Sequence, residues 1–329
     1  MSNVMPAVVI REPGGAEVLE VRQVEVPPVG TGEIRVEVAT SGVNRADLLQ
    51  RRGGYPAPPG SPSDIPGMEF SGTVEAVGEG VTRWKAGDPV MGIVGGGGYA
   101  RYVVTHADAV LPVPVGMGVE EAGAIPEVFL TAFDAVFLQE GLRPGETLLV
   151  HAVGSGVGTA ALQLGLAFGA RVVGTSRTEA KLVRAAALGL QHPVLADAAW
   201  PRRVREVVGE GGVDVILDLV GGPYLEGNHQ ILAAGGRHIV VGVTGGARAE
   251  VDLRALMTRR ASMRGTVLRA RPLEEKVALT RAFEERALPL FADGRVRPVV
   301  DRIVPAAEAA EAHRLLEGNE TFGKVLLRW

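Results

Sequence analysis

An apolar run, Leu148-Leu149-Val150-His151-Ala152-Val153, breaks into Gly154-Ser155-Gly156-Val157-Gly158-Thr159 and then into a helix-period segment at 158–168. A strand that ends in a glycine turn and opens a helix aims backbone N–H groups and the positive end of the helix dipole at an anion. A second strand at 171–175 completes the local unit, so the chemistry is dinucleotide binding, with Ser155, Gly156, Val157 and Gly158 around the pyrophosphate. That second strand runs into Thr175-Ser176-Arg177, followed by Lys181. NAD-using enzymes commonly place Asp or Glu there for the ribose 2′-hydroxyl, and a carboxylate would repel a 2′-phosphate. Hydroxyls and two cations suit the phosphate instead. NADPH is the expected cofactor, with Thr175, Ser176, Arg177 and Lys181 as its phosphate set; the alternative is that Arg177 and Lys181 are solvated first-turn residues of a helix. Two later apolar runs also end in glycine, at Val220-Gly221-Gly222 and Val241-Gly242-Val243-Thr244-Gly245-Gly246. Glycines at strand ends permit close backbone approach to a nicotinamide ribose, or simply a tight turn.

The missing groups matter as much. The 329-residue chain has no cysteine, which excludes disulfides, thiolate nucleophiles and cysteine-ligated metals. Its histidines, His106, His151, His192, His229, His238 and His313, show no close spacing of a local metal motif. No metal is expected.

The elements that position these groups follow from periodicity. Short β-type runs at 4–10, 34–39, 70–77 and 99–104 are separated by Gly/Pro punctuation, with a long Gly/Pro-rich loop at 51–66 of a kind that is often functional. After residue 124 the texture changes. Strands are predicted at 147–153, 171–175, 193–196, 213–219, 237–243 and 262–268, and helices at 158–168, 179–188, 202–208, 224–232 and 252–259. Six strands alternating with helices predict a doubly wound parallel sheet. A long helix at 273–291, a strand at 299–304, a helix at 306–317 and a strand at 323–327 most economically return to the first domain. The expected organisation is α/β, with a discontinuous β-rich catalytic domain at 1–124 and 267–329 around a nucleotide-binding domain at 125–266.

With 46% hydrophobic and 22% charged residues, the chain can bury two cores. A net charge of −4 supplies no positive field for a phosphate backbone, so nucleic acid is not an expected partner. There is no basic segment leading into an apolar one at the start, and charged residues or Pro interrupt every apolar run before about eighteen residues. A cytoplasmic protein without membrane spans is expected.

Several segments, in order along nearly the whole chain, resemble the zinc-free quinone oxidoreductase (zeta-crystallin-like) branch of the medium-chain dehydrogenase/reductase superfamily. They are Gly42-Val43-Asn44-Arg45-Ala46-Asp47, the stretches 55–60 and 65–72, Ile125-Pro126-Glu127-Val128-Phe129-Leu130-Thr131-Ala132, the 152–158 turn and Gly323-Lys324-Val325. The resemblance implies a GroES-like catalytic domain, a Rossmann domain and a homodimer formed through edge-strand pairing near 262–268. It places Asn44, Asp47, Tyr55 and Thr131 at the reaction site, and Asn44, Thr131, Val220, Gly242, Val243, Leu268 and Lys324 beside the cofactor. Asn44 also reads as a helix N-cap with Asp47 three residues on, Tyr55 as a loop anchor, and Thr131 as the start of a packed helix. Zinc-dependent relatives carry a cysteine ligand in the segment resembling 42–47 and a histidine in the one resembling 67–69; here stand Asn44 and Met68. Without a Lewis acid, a conjugated acceptor that spreads the incoming negative charge is favoured over a simple alcohol, which fits quinones and α,β-unsaturated carbonyls. Leu48-Leu49 replaces a tyrosine found in some members, and Val194-Leu195-Ala196 offers no hydroxyl to the adenosine phosphate. Reduction of an enoyl thioester or alkenal, and a non-catalytic NADPH-binding crystallin-like role, are the alternatives.

Overall fold

A computed structural model describes residues 3–329. The chain divides into two compact units: one holds the chain up to Leu130, Leu268–Ala292 and Pro298–Trp329, the other Thr131–Val267 and Asp293–Arg297.

In the first unit, β1 (Val4–Ile10) and β2 (Leu19–Glu25) form an antiparallel hairpin. A larger mixed sheet is built from β3 (Glu33–Val43), β4 (Glu69–Val77), β5 (Pro89–Ile93), β6 (Tyr102–His106) and β7 (Val110–Pro112). Strand β3 alternates buried and half-buried residues, sending Ile34, Val36 and Val38 into a core with Phe70, Val74, Val90, Val103 and Val110, as the period of two requires.

The second unit holds β8 (Thr147–Val150), β9 (Arg171–Ser176), β10 (His192–Leu195), β11 (Val213–Asp218), β12 (Leu232–Val240) and β13 (Ser262–Gly265). All pair in parallel, in the order β10-β9-β8-β11-β12-β13. Counting from β8 this is 3-2-1-4-5-6, the doubly wound order, with ligands expected outside the carboxyl ends of the strands. The chain then returns to the first unit with β14 (Val300–Pro305) and β15 (Lys324–Arg328). Strand β15 runs antiparallel to β3 with Val325 opposite Val43, which sets Lys324 next to the point where β3 gives way to the helix Arg45–Arg51.

Several elements differ in their bounds from expectation, among them the strands predicted at 147–153 and 237–243, which span Thr147–Val150 and Leu232–Val240. The predicted strand at 262–268 ends after Gly265. The predicted helix at 273–291 is two helices, Leu273–Arg286 and Pro289–Ala292, because Pro289 lacks an N–H and disfavours helical geometry in the residue before it.

Candidate active site

In the first unit the site is organised around a buried ion pair. Lys324 Nζ has three N–H groups and three acceptors: Glu69 Oε1 at 2.6 Å, Asn44 Oδ1 at 2.7 Å and the Val43 carbonyl at 3.1 Å. Its side chain is 4% exposed and that of Glu69 0%. Glu69 also accepts from Asn44 Nδ2 at 2.9 Å and, through Oε2, from the Glu127 amide at 2.8 Å. A Cβ on Gly42 would overlap Glu69 Oε1, so glycine there lets the carboxylate reach in. Both atoms of the Asn44 amide are thereby fixed, oxygen to the lysine and nitrogen to the carboxylate.

Asp47 is fully buried. It caps the helix Arg45–Arg51 by accepting from the Asn44 amide at 2.8 Å, and it accepts from the Gly67 amide at 3.1 Å and from the Tyr99 hydroxyl at 3.3 Å. Only half of a capping box is built from side chains, since Asp47 N–H donates to the Asn44 backbone carbonyl while the Asn44 side chain turns to Lys324 and Glu69. Behind Asp47 the hydrogen-bond directions are forced. Arg51 can only donate, so His313 Nδ1 accepts from it at 3.2 Å; His313 Nε2 then carries the proton and donates to Tyr99 at 3.2 Å, freeing the phenol proton for Asp47. Burial, and next the Arg51 guanidinium, push His313 down to about 3. Burial pushes Asp47 up to about 6 against the pull of the Asn44 amide, Lys324, Arg269 and the Gly67 amide.

Tyr55 lies in the Gly/Pro-rich loop with the Arg269 guanidinium 5.3 Å from its ring centroid. Arg269 is buried and bonds the Gly95 carbonyl at 2.7 Å and Gln50 Oε1 at 2.6 Å. Burial lowers its pKa, against the pull of Asp47 and Glu127, which act on it by charge. Leu268, beside it, is buried.

In the second unit, Ser155 caps the helix Gly156–Ala167, its hydroxyl accepting from Gly158 N–H at 3.1 Å. A Cβ on Gly158 would overlap the Ala152 carbonyl and stand 2.7 Å from Val153 Cα, so the glycine lets this helix press against the end of β8. Ser155, Gly156 and Val157 are half-buried at the helix start. At the end of β9, Thr175 and Ser176 are buried and Arg177 is exposed; Lys181 is half-buried on the helix Glu179–Ala186. Past β11 and β12 the glycine turns meet: Gly245 N–H donates to the Val220 carbonyl, Val241 and Gly242 N–H donate to the Asp218 carbonyl, and Gly222 N–H donates to the Gly246 carbonyl. Val220 and Gly242 are half-buried and Val243 is exposed. Thr131 is half-buried on the helix Pro126–Phe133.

The structure thus joins Asn44, Asp47 and Lys324 in one cluster, and the turns carrying Val220 and Gly242 in another. Sequence reasoning did not assign roles to Glu69, Tyr99, Arg269 and His313 in the first unit, or to His151, Asp218, Asn228 and His238 in the second. The available signal was ionisable or amide side chains inside otherwise apolar runs, as with Glu69 before Phe70 and His151 after Val150.

A nucleotide-binding parallel sheet joined to a β-rich unit defines a medium-chain dehydrogenase/reductase architecture, and the comparisons with known proteins agree. Residues 30–115 match the alcohol dehydrogenase GroES-like domain and residues 188–327 the zinc-binding dehydrogenase family. The chain is 32% identical to the quinone oxidoreductase of Sus scrofa and 31% identical to that of Homo sapiens, covering 99% of this chain and 98% of each of those proteins. The crystal structure of an NAD-dependent alcohol dehydrogenase superposes with a TM-score of 0.88 at 36% identity, over 99% of this chain and 100% of that one. The chain belongs to the zinc-free quinone oxidoreductase branch of the medium-chain dehydrogenase/reductase superfamily.

Two expectations follow. Lys324→Met leaves Glu69 buried and uncompensated, and should destabilise the protein by about 3–5 kcal/mol in urea unfolding, with part of the loss recovered by Lys324→Met/Glu69→Leu; a loss below about 1 kcal/mol would refute the central role of this pair. Because the Asp47 pKa is raised from 3.8 to about 6, the folded protein binds that proton more tightly than the unfolded chain. The associated stability is fully present below about pH 4 and is lost as pH rises through about 6. The unfolding free energy of wild type relative to Asp47→Asn should therefore fall by on the order of 3 kcal/mol between about pH 4 and pH 7; parallel pH profiles would contradict the assignment.

Proposed function

We propose that the protein reduces quinones or similar conjugated carbonyl acceptors with NADPH and without a catalytic metal. The observation that carries the cofactor choice is the end of β9, where Ser176, exposed Arg177 and Lys181 stand and no carboxylate occupies the turn. The glycine contact at Gly158 fits a dinucleotide, since the helix start it creates offers backbone N–H groups to a pyrophosphate. NADPH, when bound, supplies the hydride. In the second unit Ser155, Gly156, Val157 and Gly158 are assigned to the pyrophosphate and Thr131, Val220, Gly242 and Val243 to the cofactor; in the first, Leu268 is assigned to the cofactor and Asn44 and Tyr55 to the acceptor. The name of the relatives supports a quinone. Metal independence is supported by the absence of cysteine and by the lack, among the described residues, of any group of three His, Cys, Asp or Glu side chains suited to a metal.

Arg269 and Lys276 favour a second reading. Burial lowers the pKa of both, against the pull of Asp47 and Glu127 on Arg269 and of Glu127 on Lys276; two cations so placed would suit an acceptor that carries phosphate, such as a phosphorylated enoyl thioester. Consumption of NADPH and NADH against ortho- and para-quinones and one enoyl thioester separates the readings. Quinone turnover preferring NADPH is expected and should persist with chelator, while thioester turnover alone would transfer the protein to double-bond reduction. Arg177→Ala/Lys181→Ala should weaken NADPH binding roughly tenfold or more and leave NADH nearly unchanged; equal losses would remove the phosphate assignment.

A homodimer through β13 is part of the proposal. This strand is the edge of the parallel sheet, all four of its residues are exposed, and Leu253, Met257, Met263 and Val267 add exposed apolar surface. Unpaired edges invite pairing. Sedimentation should give a dimer for wild type and a monomer for Met257→Glu/Met263→Lys, and a wild-type monomer would refute it. Among the described residues no helix is long and apolar enough to cross a membrane.

A further inference from the structure

Beneath the carboxyl ends of four adjacent strands runs a continuous line of buried polar side chains. Thr175 at the end of β9 meets His151 Nδ1 at 2.8 Å; His151 Nε2, just past β8, meets Asn228 Oδ1 at 2.7 Å. Asn228 Nδ2, on the helix Leu225–Ile231, donates to Asp218 Oδ2 at 3.1 Å, and His238 Nε2 on β12 lies 3.0 Å from the same oxygen. Asp218 Oδ1, at the end of β11, accepts from the Val220 and Gly221 amides at 2.7 and 2.9 Å. Every one of these side chains is at most a few per cent exposed: Thr175, His151, Asn228, Asp218 and His238 are all at 0%.

The proton positions follow from Asp218. Burial opposes ionisation of Asp218, but the His238 ring, His151 and the Gly221 and Val220 amides overcome it and hold its carboxyl below the usual range. As a carboxylate it only accepts, so Asn228 presents its NH₂ and His238 its Nε2–H. The bare, unpartnered His238 Nδ1 agrees with that tautomer. Asn228 has then only its oxygen for His151, which must donate from Nε2. Burial pushes His151 down to about 4, so it carries one ring proton, and its Nδ1 is an acceptor. Thr175 is left to donate. Its neighbour Ser176 is different: the Ser176 hydroxyl accepts from Thr178 N–H at 3.3 Å and keeps its own proton to give.

We infer that Asp218 polarises this chain so that Thr175 spends its proton on His151, making His151 and Thr175 positioning residues of the β9 end and leaving Ser176 as the hydroxyl that donates to a cofactor 2′-phosphate. The inference rests on the nucleotide-site reading above and corrects the weight it gives to Thr175. The chain also joins the β9 end to the Val220-Gly221 turn, so a break in it displaces both ends of the nucleotide edge of the sheet together.

Direct binding of NADPH and NADH by fluorescence tests this in the intact protein. Thr175→Val should weaken both cofactors by a similar factor, roughly three- to tenfold, with their ratio unchanged, and Thr175→Ser should restore both. Ser176→Ala should weaken NADPH alone. A loss selective for NADPH in Thr175→Val, or no loss at all, overturns the proposal. Nitrogen-15 NMR of unmodified protein supplies a test that does not depend on any variant folding: His151 should be the neutral Nε2–H tautomer through about pH 6–8, and an Nδ1–H tautomer or an imidazolium would refute the polarity. Should the protein bind NADH as tightly as NADPH, the 2′-phosphate assignment fails, while equal losses in Thr175→Val and the tautomer still decide the chain itself.

Discussion

The ammonium of Lys324 is placed where water does not reach, and the first unit is arranged so that it never needs water. Isolated, such a charge would carry a desolvation penalty of several kcal/mol. Glu69, Asn44 and the Val43 carbonyl offset it with one acceptor for each N–H. Those acceptors come from the end of β3, the residue after it and the start of β4, while the lysine comes from β15 near the far end of the chain. The register of β15 on β3, Val325 against Val43, is what delivers it. Sheet register brings the cation to its acceptors, and the orientation of the Asn44 amide follows from satisfying it.

The second unit solves a similar problem with the opposite charge. Asp218 is a buried carboxylate whose two oxygens accept four donors, two from backbone amides and two from side chains. In both units a single ionised group fixes the direction of neutral hydrogen bonds several residues away. Arg51 does so through His313 and Tyr99 as far as Asp47, and Asp218 through Asn228 and His151. Fixed dipoles of this kind hold side chains in one orientation without adding mobile charge at the site.

What could be read from the sequence was what depends on local pattern. The parallel sheet followed from strands alternating with helices, and the nucleotide turn from a strand, glycines and a helix in succession. The early end of β13 and the break before Pro289 are boundary effects, set in the second case by a missing N–H. Side-chain partners were not legible. Asn44 and Asp47 are three residues apart, and a capping pair was visible, but the turn of the Asn44 amide towards Lys324 depends on a strand 280 residues later. His151 and His238 appeared as isolated histidines because the residues that link them, Asp218 and Asn228, lie between them in sequence and beside them only in the folded unit. Thr175 showed a hydroxyl at the right turn, and nothing local told that its proton points inward.

That inward commitment bears on the acceptor as well as on the cofactor. The donors of Lys324 are all engaged, and Asp47 accepts from two amides and a phenol. Neither group can move towards new charge without breaking a buried contact whose loss costs about 1–3 kcal/mol. Lys324 and Asp47 are thus not free to answer negative charge on a reduced substrate, which the substrate's own delocalisation can spread. A quinone supplies it through its ring and an enone through its conjugated oxygen, whereas a saturated ketone would place the whole charge on one alkoxide. The same buried contacts hold Lys324 and Asp47 in place, so neither serves as a mobile charge, which is compatible with the conjugated acceptor proposed above.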